Sequence, residues 1–254
     1  MEETIIDQLQ KKIEKPVSLF QHLLQTNMIQ MKQIVAALLL TFLTATAFAQ
    51  QGSGPYYGFR LGLTAHPTFG WAKPENGKGN GFSLGFAYGL LADFNFAENY
   101  SLATGLTITS INGKTSEINP IPYYDAAAYP NPTLYDLKYK MQYIEVPLTL
   151  KLKTDKIGDV RWYGQFGLSN GFNISARQDV AVAGKTIVKD QHIKKDTNFY
   201  RAGLIIGAGL EYDVAKNTSV TTGLTFNNGF TDISSAPGRN TRNHYVGLNF
   251  GVFF

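Results

Sequence analysis

Two glycine-containing segments of the chain have spacings that other proteins use for catalysis or nucleotide binding. Residues 167–171 read Gly-Leu-Ser-Asn-Gly and match G-x-S-x-G, which presents a nucleophilic serine on a sharp strand-to-helix turn. Gly203, Gly207 and Gly209 resemble part of a dinucleotide-binding fingerprint, which also has to open a helix. No helical pattern follows either segment. We therefore interpret both as small residues on one face of a strand.

Histidine beside a carboxylate or a serine would be the other source of acid–base chemistry. Beyond residue 50 the chain contains His66, His192 and His244, and His66 shares the alternation phase of Arg60. A catalytic site that combines His66 or His244 with Asp232 needs these groups within about 3 Å of one another. The chain has no cysteine, which excludes disulfides and Cys-ligated metals. We predict no catalytic, cofactor-binding or metal-binding residues.

Eight segments alternate apolar with small or polar residues, and they would carry both glycine-containing segments and His66. They comprise residues 57–69, 82–96, 100–111, 140–153, 161–174, 200–213, 218–227 and 246–254. Most hold about 10–14 residues, against roughly 5–6 for a strand in a globular domain. Tilted strands of this length cross a membrane. The pattern predicts an all-β fold, an eight-stranded antiparallel up-and-down transmembrane β-barrel.

The composition of the two faces favours a membrane barrel over a soluble lipocalin-like barrel, whose apolar face points inward. One face holds mainly small residues, such as Ser101, Ala103 and Gly105, which suit the crowded lumen of an eight-stranded barrel. The other face is apolar and has aromatic residues near the strand ends, such as Phe82 and Phe96. We expect the apolar face to contact lipid.

The connections between these segments alternate in length, as they do in outer-membrane barrels. The short ones are residues 97–99, 154–159 and 214–217, and the longer ones are residues 71–81, 112–138, 176–198 and 228–242. The pattern predicts periplasmic short turns and extracellular long loops.

The predicted lumen face also carries charges of both signs, which must pair because an unpaired buried charge costs several kcal/mol. The candidate lumen charge network comprises Arg60, Asp93, Glu145, Lys151, Arg161, Arg201 and Glu211. Pro147 removes a backbone donor from the middle of one strand, and two interpretations of it remain. We favour a bulge that bends the strand. The other is a pairing of inward Glu145 with an arginine on a neighbouring strand.

The loop at residues 112–138 is the most distinctive connection because it combines four prolines with several tyrosines. The candidate partner-contact residues in it are Tyr123, Tyr124, Tyr129 and Tyr135. Long extracellular loops are where barrels carry function, so this loop could contact a protein or a glycan. A loop stiffened against proteolysis explains the same composition equally well.

The N-terminal part of the chain has the layout of an export signal. Residues 31–49 contain a lysine, an apolar stretch and a final Ala-Phe-Ala, which together predict a secretory signal peptide. Residues 1–30 precede it, and we interpret them as an extension from a misassigned start codon, with a genuine amphipathic extension as the alternative. The barrel domain is then predicted over residues 50–254, in the outer membrane.

Two segments give the chain a resemblance to a known family. Residues 143–148 read Tyr-Ile-Glu-Val-Pro-Leu, and residues 162–167 read Trp-Tyr-Gly-Gln-Phe-Gly and open the next strand. The chain resembles the PorT-like outer-membrane β-barrels in these segments, and in general pattern over roughly residues 55–254. The resemblance implies an eight-stranded outer-membrane barrel. One branch of that family is associated with a protein-secretion apparatus, but most members have no assigned activity.

These observations predict a non-enzymatic, integral outer-membrane protein of a Gram-negative cell envelope, with a structural or partner-binding role and a secretion link as one option. The alternative is a small lipid- or peptide-modifying enzyme with a site at the extracellular rim. We expect contact with outer-membrane lipid, with the barrel-assembly machinery during biogenesis and with an envelope or secretion protein, and we expect a monomer. The net charge of +4 includes no basic run, so nucleic acid is not expected as a partner.

Overall fold

The computed structural model describes residues 58–75, 77–120, 123, 125, 127–128, 131–235 and 240–254. Within these ranges the chain forms nine strands and a short 3₁₀ helix: β1 (Gly58–Pro74), β2 (Lys78–Ala97), β3 (Tyr100–Ile118), β4 (Leu134–Lys153), β5 (Val160–Val182), β6 (Lys185–His192), the helix (Lys194–Asp196), β7 (Tyr200–Ala215), β8 (Thr218–Gly229) and β9 (Thr241–Phe253). In the same ranges, no helix is long and apolar enough to cross a membrane. The predicted extension 1–30 and signal peptide 31–49 lie outside the described residues.

Eight of the strands that the structure describes close into a ring. Around the ring the order is β1-β2-β3-β4-β5-β7-β8-β9, with β9 paired back to β1 and every neighbouring pair antiparallel. Closure leaves the ring without an edge, which lipid requires because it cannot satisfy free backbone groups. The predicted eight-stranded antiparallel up-and-down barrel is confirmed.

β6 lies outside the ring and corrects the prediction of a loop over residues 176–198. β5 continues to Val182, and β6 returns along it as a hairpin. The two-residue turn between them, Ala183 and Gly184, has φ values of +49° and +79°. Positive φ at both positions is the geometry of a type I′ turn, which matches the twist of the flanking strands. Sequence periodicity missed this turn because alanine rarely adopts positive φ.

The two ends of the barrel differ in the length of their connections. The turn end has short connections at residues 98–99, 154–159 and 216–217, and the loop end has those at residues 75–77, 119–133, 183–199 and 230–240. Every long connection is shorter than predicted, because strand pairing continues past the point where the outward residues stop being apolar. β4 holds 20 residues and β5 holds 23.

Large apolar side chains cover the outward face and form an apolar band. Leu148, Phe166 and Leu224 lie in it and are 49%, 50% and 58% exposed. On β4 the outward positions are apolar from Ile144 to Leu152. Nine tilted residues at about 3.3 Å each make the band about 20–25 Å tall, which fits the apolar layer of an outer membrane.

The interior changes character along the barrel axis. Near the turn end and in the middle it is charged or polar, as predicted. At the loop end it is an apolar core, which includes Ile111, Leu137, Met141, Val180 and Ile193. This core was not predicted, because its residues fall in segments that were expected to be strand ends and loops. It fills the barrel interior at the loop end.

Pro147 does not mark a bulge, so the favoured interpretation of this residue was wrong. Thr104 faces Leu148 and Thr107 faces Glu145, so the β3–β4 register is the same on both sides of the proline. The described β3–β4 ladder instead lacks the two pairs at Pro147 and the residue before it. The Thr104 hydroxyl donates to the Pro147 carbonyl oxygen at 2.7 Å and bridges this gap. The β4–β5 register shifts elsewhere, next to Tyr143.

The apolar band generates a first prediction. Leu148→Arg places a charge near the middle of the band and should reduce the free energy of unfolding by about 2–4 kcal/mol. Ile118→Arg is the matched control, because Ile118 is exposed on the outward face of β3 beyond the band. It should change stability by less than about 0.5 kcal/mol. Denaturant unfolding in lipid vesicles measures both, and equal losses would contradict the position of the band.

Candidate functional site in the barrel lumen

Five charged side chains converge inside the barrel near the turn end, and we call them the turn-end cluster. They are Arg60, Asp93, Lys151, Lys153 and Glu211. Arg60 binds Glu211 with both guanidinium Nη atoms, at 2.7 and 3.1 Å, and Asp93 with Nη2 at 3.0 Å. The Lys151 ammonium donates to Asp93 at 2.9 Å. The bidentate fork makes the Arg60–Glu211 contact the most directional of these pairs.

The strands bring these residues together from four positions around the ring. Arg60 on β1 lies directly opposite Asp93 on β2, Lys151 comes from β4, and Glu211 reaches across the lumen from β7. The cations also lie over aromatic rings, with the Arg60 guanidinium 4.7 Å from the Phe253 ring centroid. Such contacts favour a desolvated cation. Asp93, Lys151 and Glu211 are all buried, so their charges are neutralised inside the protein.

Lys153 is a member of the cluster that sequence reasoning missed. Its ammonium donates to the Asn95 amide oxygen at 3.0 Å and lies 3.9 Å from carboxylate oxygens of both Asp93 and Glu211. The signal was available, since Lys153 follows inward-facing Lys151 by two residues. It was overlooked because the residue ends its strand. The cluster therefore holds three cations and two carboxylates, a formal charge of +1.

A second network lies closer to the loop end and is centred on Glu145 and Arg201, so we call it the Glu145–Arg201 network. The Arg201 Nη1 atom lies 3.3 Å from Glu145 Oε1. The carboxylate also accepts hydrogen bonds from the Ser169 hydroxyl at 2.8 Å and the Tyr245 hydroxyl at 2.9 Å. Asn227 Oδ1 accepts from Arg201 Nη2 at 2.9 Å. Glu145 and Arg201 are 2% and 1% exposed.

A glycine between the two strands explains how this pair forms. Glu145 faces Gly171 on β5, and Gly171 in turn faces Arg201 on β7. Because Gly171 has no side chain, the long side chains on either side can meet over it. The expected pairing of Glu145 with an arginine therefore occurs, but Arg201 lies two strands away rather than on a neighbouring strand. Gly171 is the second glycine of the G-x-S-x-G match, and its role is to make room for packing inside the barrel.

Arg161 has a different place from the other predicted lumen charges. It lies next to the start of β5 at the turn end, and its Nη1 atom donates to the Glu98 carbonyl oxygen at 3.5 Å. Arg161 and Glu211 are register partners on β5 and β7, but Glu211 turns into the lumen to bind Arg60. The two-residue alternation predicts that Arg161 lies on the inward face of its strand. Its position at the rim explains its contact with the turn at Glu98.

The candidate partner-contact tyrosines do not form one exposed set. Tyr123 is half-buried, and its hydroxyl donates to the Gln178 side-chain oxygen at 2.6 Å. Tyr135 belongs to β4 rather than to the loop and is fully buried in the apolar core, which corrects its assignment as a surface residue. Tyr124 and Tyr129 lie outside the described residues.

A cavity of about 110 Å³ separates the turn-end cluster from the Glu145–Arg201 network. Its lining is mainly threonine and other polar residues, and it includes His66. The His66 Nδ1 atom lies 3.1 Å from the Thr64 hydroxyl oxygen. A cavity of this size has room for several water molecules, and its polar walls suit them.

The groups of the enzymatic alternative are scattered over the described part of the barrel. His244 stacks on Trp71 at 5.5 Å between ring centroids, on the outward face. The Asp232 carboxylate accepts from the backbone amides of Ser234 and Thr241 and so shapes a connection. Nor do the described residues contain a His, Asp and Glu group suited to a metal ion. The convergence that acid–base catalysis requires is absent from these residues.

Comparison with known proteins gives a family match and several distant structural similarities. A family model described as outer membrane protein beta-barrel domain matches residues 48–235. Neisserial surface protein A is 16% identical, with a TM-score of 0.40 over 76% of this chain and 95% of that one. OprG of Pseudomonas aeruginosa is 12% identical, with a TM-score of 0.40 over 78% and 97%. Ail of Yersinia pestis is 12% identical, with a TM-score of 0.29 over 76% and 97%. No curated protein matches the chain.

The Glu145–Arg201 network generates a second prediction. Arg201→Gln leaves a buried carboxylate without its cation and should reduce the free energy of unfolding by about 3–5 kcal/mol. The double variant Glu145→Gln/Arg201→Gln should recover part of that loss, because it leaves no uncompensated charge. Denaturant unfolding in vesicles measures both variants.

Arg161→Gln is the control for the same experiment, because Arg161 lies at the rim. It should cost less than about 1 kcal/mol. A double variant that is no more stable than Arg201→Gln alone would show that the carboxylate is not the source of the loss.

Proposed function

Because the chain belongs to the family of outer membrane protein β-barrel domains, we propose that it is a non-enzymatic envelope protein that holds a partner protein on its loop-end sheet. The loop-end sheet comprises the parts of β3, β4, β5 and β6 that lie beyond the apolar band, at residues 112–118, 134–142, 175–182 and 185–192. The remainder of the barrel anchors this sheet in the outer membrane.

The filled interior supports a binding role over a transport role. The turn-end cluster and the Glu145–Arg201 network lie on either side of the cavity, and the apolar core fills the barrel above them. A solute moving along the axis would have to separate buried ion pairs, which costs several kcal/mol. The accessible surfaces that remain are therefore those outside the lumen.

The projection of the loop-end sheet is the observation that carries the proposal. On β5, eight residues follow Ile174 before the strand ends at Val182, so the sheet extends about 20 Å beyond the band. Its inward side chains pack in the apolar core, where Leu137 and Val182 are nearly inaccessible. A sheet with its own core keeps its shape without lipid, and this suits a docking surface.

The edge of β6 is the part of this sheet that we propose as the contact. Within the described residues β6 pairs with β5 alone, so its other edge has backbone groups free for strand addition. Its outward Ile187 is 41% exposed. By the family pattern the loop end faces the cell exterior and the turn end faces the periplasm. The PorT-like resemblance makes a component of a protein-secretion apparatus the partner class to test first.

Ion pairs outside the membrane hold β6 against the barrel. Asp190 has a φ of +55° and places its carboxylate between two cations, 2.6 Å from Arg177 and 3.4 Å from Lys140. Asp179 lies 2.8 Å from Lys140 and accepts from the Asp190 backbone amide. Burial raises the pKa of the Asp179 carboxyl, but the Lys140 hydrogen bond and the Asp190 amide outweigh it, so that pKa lies below its ordinary value. At Asp190, desolvation likewise raises the pKa, and the Arg177 hydrogen bond outweighs it.

A third prediction concerns pH. Carboxyls with lowered folded-state pKa values stabilise the hairpin above their unfolded values near 4, and this stabilisation is lost as the pH falls through the lowered values. We expect the β6 amides to lose protection from hydrogen exchange below about pH 4, while those of β8 keep theirs. In Asp190→Asn the β6 amides should exchange faster at neutral pH and respond less to acid. A pH response unchanged in this variant would contradict the assignment.

A fourth prediction tests the partner surface in intact cells. A photo-cross-linking residue replaces Ile187 at the edge of β6, and the matched control replaces Ile157, which is 72% exposed at the turn end. We expect an envelope or secretion protein to be captured from position 187 and not from position 157. Identical captures from the two positions would argue against β6 as the contact. Capture at position 157 alone would move the partner surface to the turn end.

A further inference from the structure

Three pairs of cations lie directly opposite one another on the outward face, near the loop-end limit of the apolar band. Lys140 on β4 faces Arg177 on β5. The other two pairs are Lys114 with Lys138, on β3 and β4, and Lys73 with Arg242, on β1 and β9. Like charges at such positions have Cβ atoms about 4.5–5.5 Å apart and destabilise a sheet. An anion placed between the two cations of such a pair would relieve this repulsion.

The protein supplies the anion for one pair. At Lys140 and Arg177 the Asp190 carboxylate lies between the two cations and binds both, as described above. The backbone of Asp190 adopts positive φ to reach this place. This arrangement shows that one anionic group fits between opposed cations on this surface.

The other two pairs have no such carboxylate. Among the described residues, none lies within 4.0 Å of the charged nitrogens of Lys114, Lys138, Lys73 or Arg242. Asp179 is the register partner of Lys138 and attracts it at longer range, but it forms its ion pair with Lys140. All four cationic side chains are exposed.

Their height on the barrel indicates where the missing anions come from. Lys73 and Arg242 lie one outward position beyond Trp71 and His244, which face each other at the rim of the apolar band. Trp71 also contacts Phe82, with ring centroids 5.2 Å apart. An aromatic rim of this kind lies at the level of lipid headgroups.

The second pair lies farther from the band, since Lys138 is six residues from Ile144, where the band ends on β4, but long lysine side chains can reach back toward the rim. Phe82 faces Gly113, the residue before Lys114, so Lys114 and its partner Lys138 lie beside the aromatic rim. The four cations thus stand on four of the five consecutive strands β9, β1, β2, β3 and β4, at the level of the headgroups. Anionic groups at that level attract each Lys or Arg by about 1 kcal/mol.

We propose that these two cation pairs, Lys114 with Lys138 and Lys73 with Arg242, each bind a phosphate group of a phosphorylated lipid headgroup in the leaflet that surrounds the loop end. The phosphate occupies the place that Asp190 occupies at the third pair. Lys114 and Lys138 belong to the loop-end sheet but lie on the outward faces of β3 and β4, away from the edge of β6, so the proposal depends on the outer-membrane location and not on the partner surface at β6.

The test compares the folded protein in phosphatidylcholine vesicles that contain bisphosphorylated lipid A with the same protein in vesicles that lack it. Two further arms use dephosphorylated lipid A and inorganic phosphate. The unfolding midpoint in denaturant is the readout. We expect bisphosphorylated lipid A alone to raise the midpoint. An equal rise with dephosphorylated lipid A, or with inorganic phosphate, overturns the proposal.

The variants assign the effect to the pairs. In Lys114→Gln/Lys138→Gln the rise should be reduced, and the affinity for bisphosphorylated lipid A should fall about 30-fold if each lysine contributes as expected near an anionic surface. Lys185→Gln/Lys189→Gln removes two exposed lysines from β6 and is the matched control, which should keep the full rise. An equal loss in the control overturns the proposal, because net charge alone would then explain the effect.

A second measurement compares the stability of the single variant Lys114→Gln with that of the wild type in the two kinds of vesicle. In pure phosphatidylcholine this variant should be more stable than the wild type, because it removes a repulsion between opposed lysines. In vesicles with bisphosphorylated lipid A it should lose that advantage. A variant that is less stable than the wild type in pure phosphatidylcholine overturns the proposal, since it would show that the protein already neutralises the pair.

Discussion

The requirement that every charge inside the barrel find its partner there dominates this structure. Lipid surrounds the wall, and the lumen is too narrow for bulk water to solvate an ion. The bidentate contact between Arg60 and Glu211 meets this requirement between strands that lie three places apart in the ring, and Gly171 meets it by leaving room for Glu145 and Arg201. The same pairing fills the interior and directs any binding activity to the outer surfaces.

The alternation of apolar and polar residues was sufficient to predict the barrel, its strand number and the inward direction of the charges. In a regular strand successive side chains point to opposite faces, so odd and even positions separate. The alternation was not sufficient to predict partners. Glu145 meets Arg201 across an intervening strand, and Arg161 loses its register partner Glu211 to Arg60. Such choices depend on side-chain length and on the curvature of the closed ring, which no single strand contains.

The loop end shows where local patterns mislead. Residues beyond the apolar band were assigned to loops because their outward side chains are polar, yet inward Leu137 continues the alternation of β4 and packs in a core. Val180 packs in the same core, after the register shift at Ile174 has moved the inward face of β5 by one residue. The hairpin of β5 and β6 was missed because Ala183 adopts a conformation that favours glycine. Tyr135 illustrates the same error, since it was assigned to a loop surface and lies fully buried in β4.

Closure of the ring also has a consequence for the order of assembly. β1 pairs with β9, so the first and last described strands meet only after all the strands between them have been made. The Arg60–Glu211 contact joins residues 151 positions apart in the chain and connects β1 with β7. An open sheet would expose these charges and two free edges to lipid, where neither is tolerated. Closing the seam between β1 and β9 is therefore a late step of assembly, and it completes the wall that encloses the ion pairs.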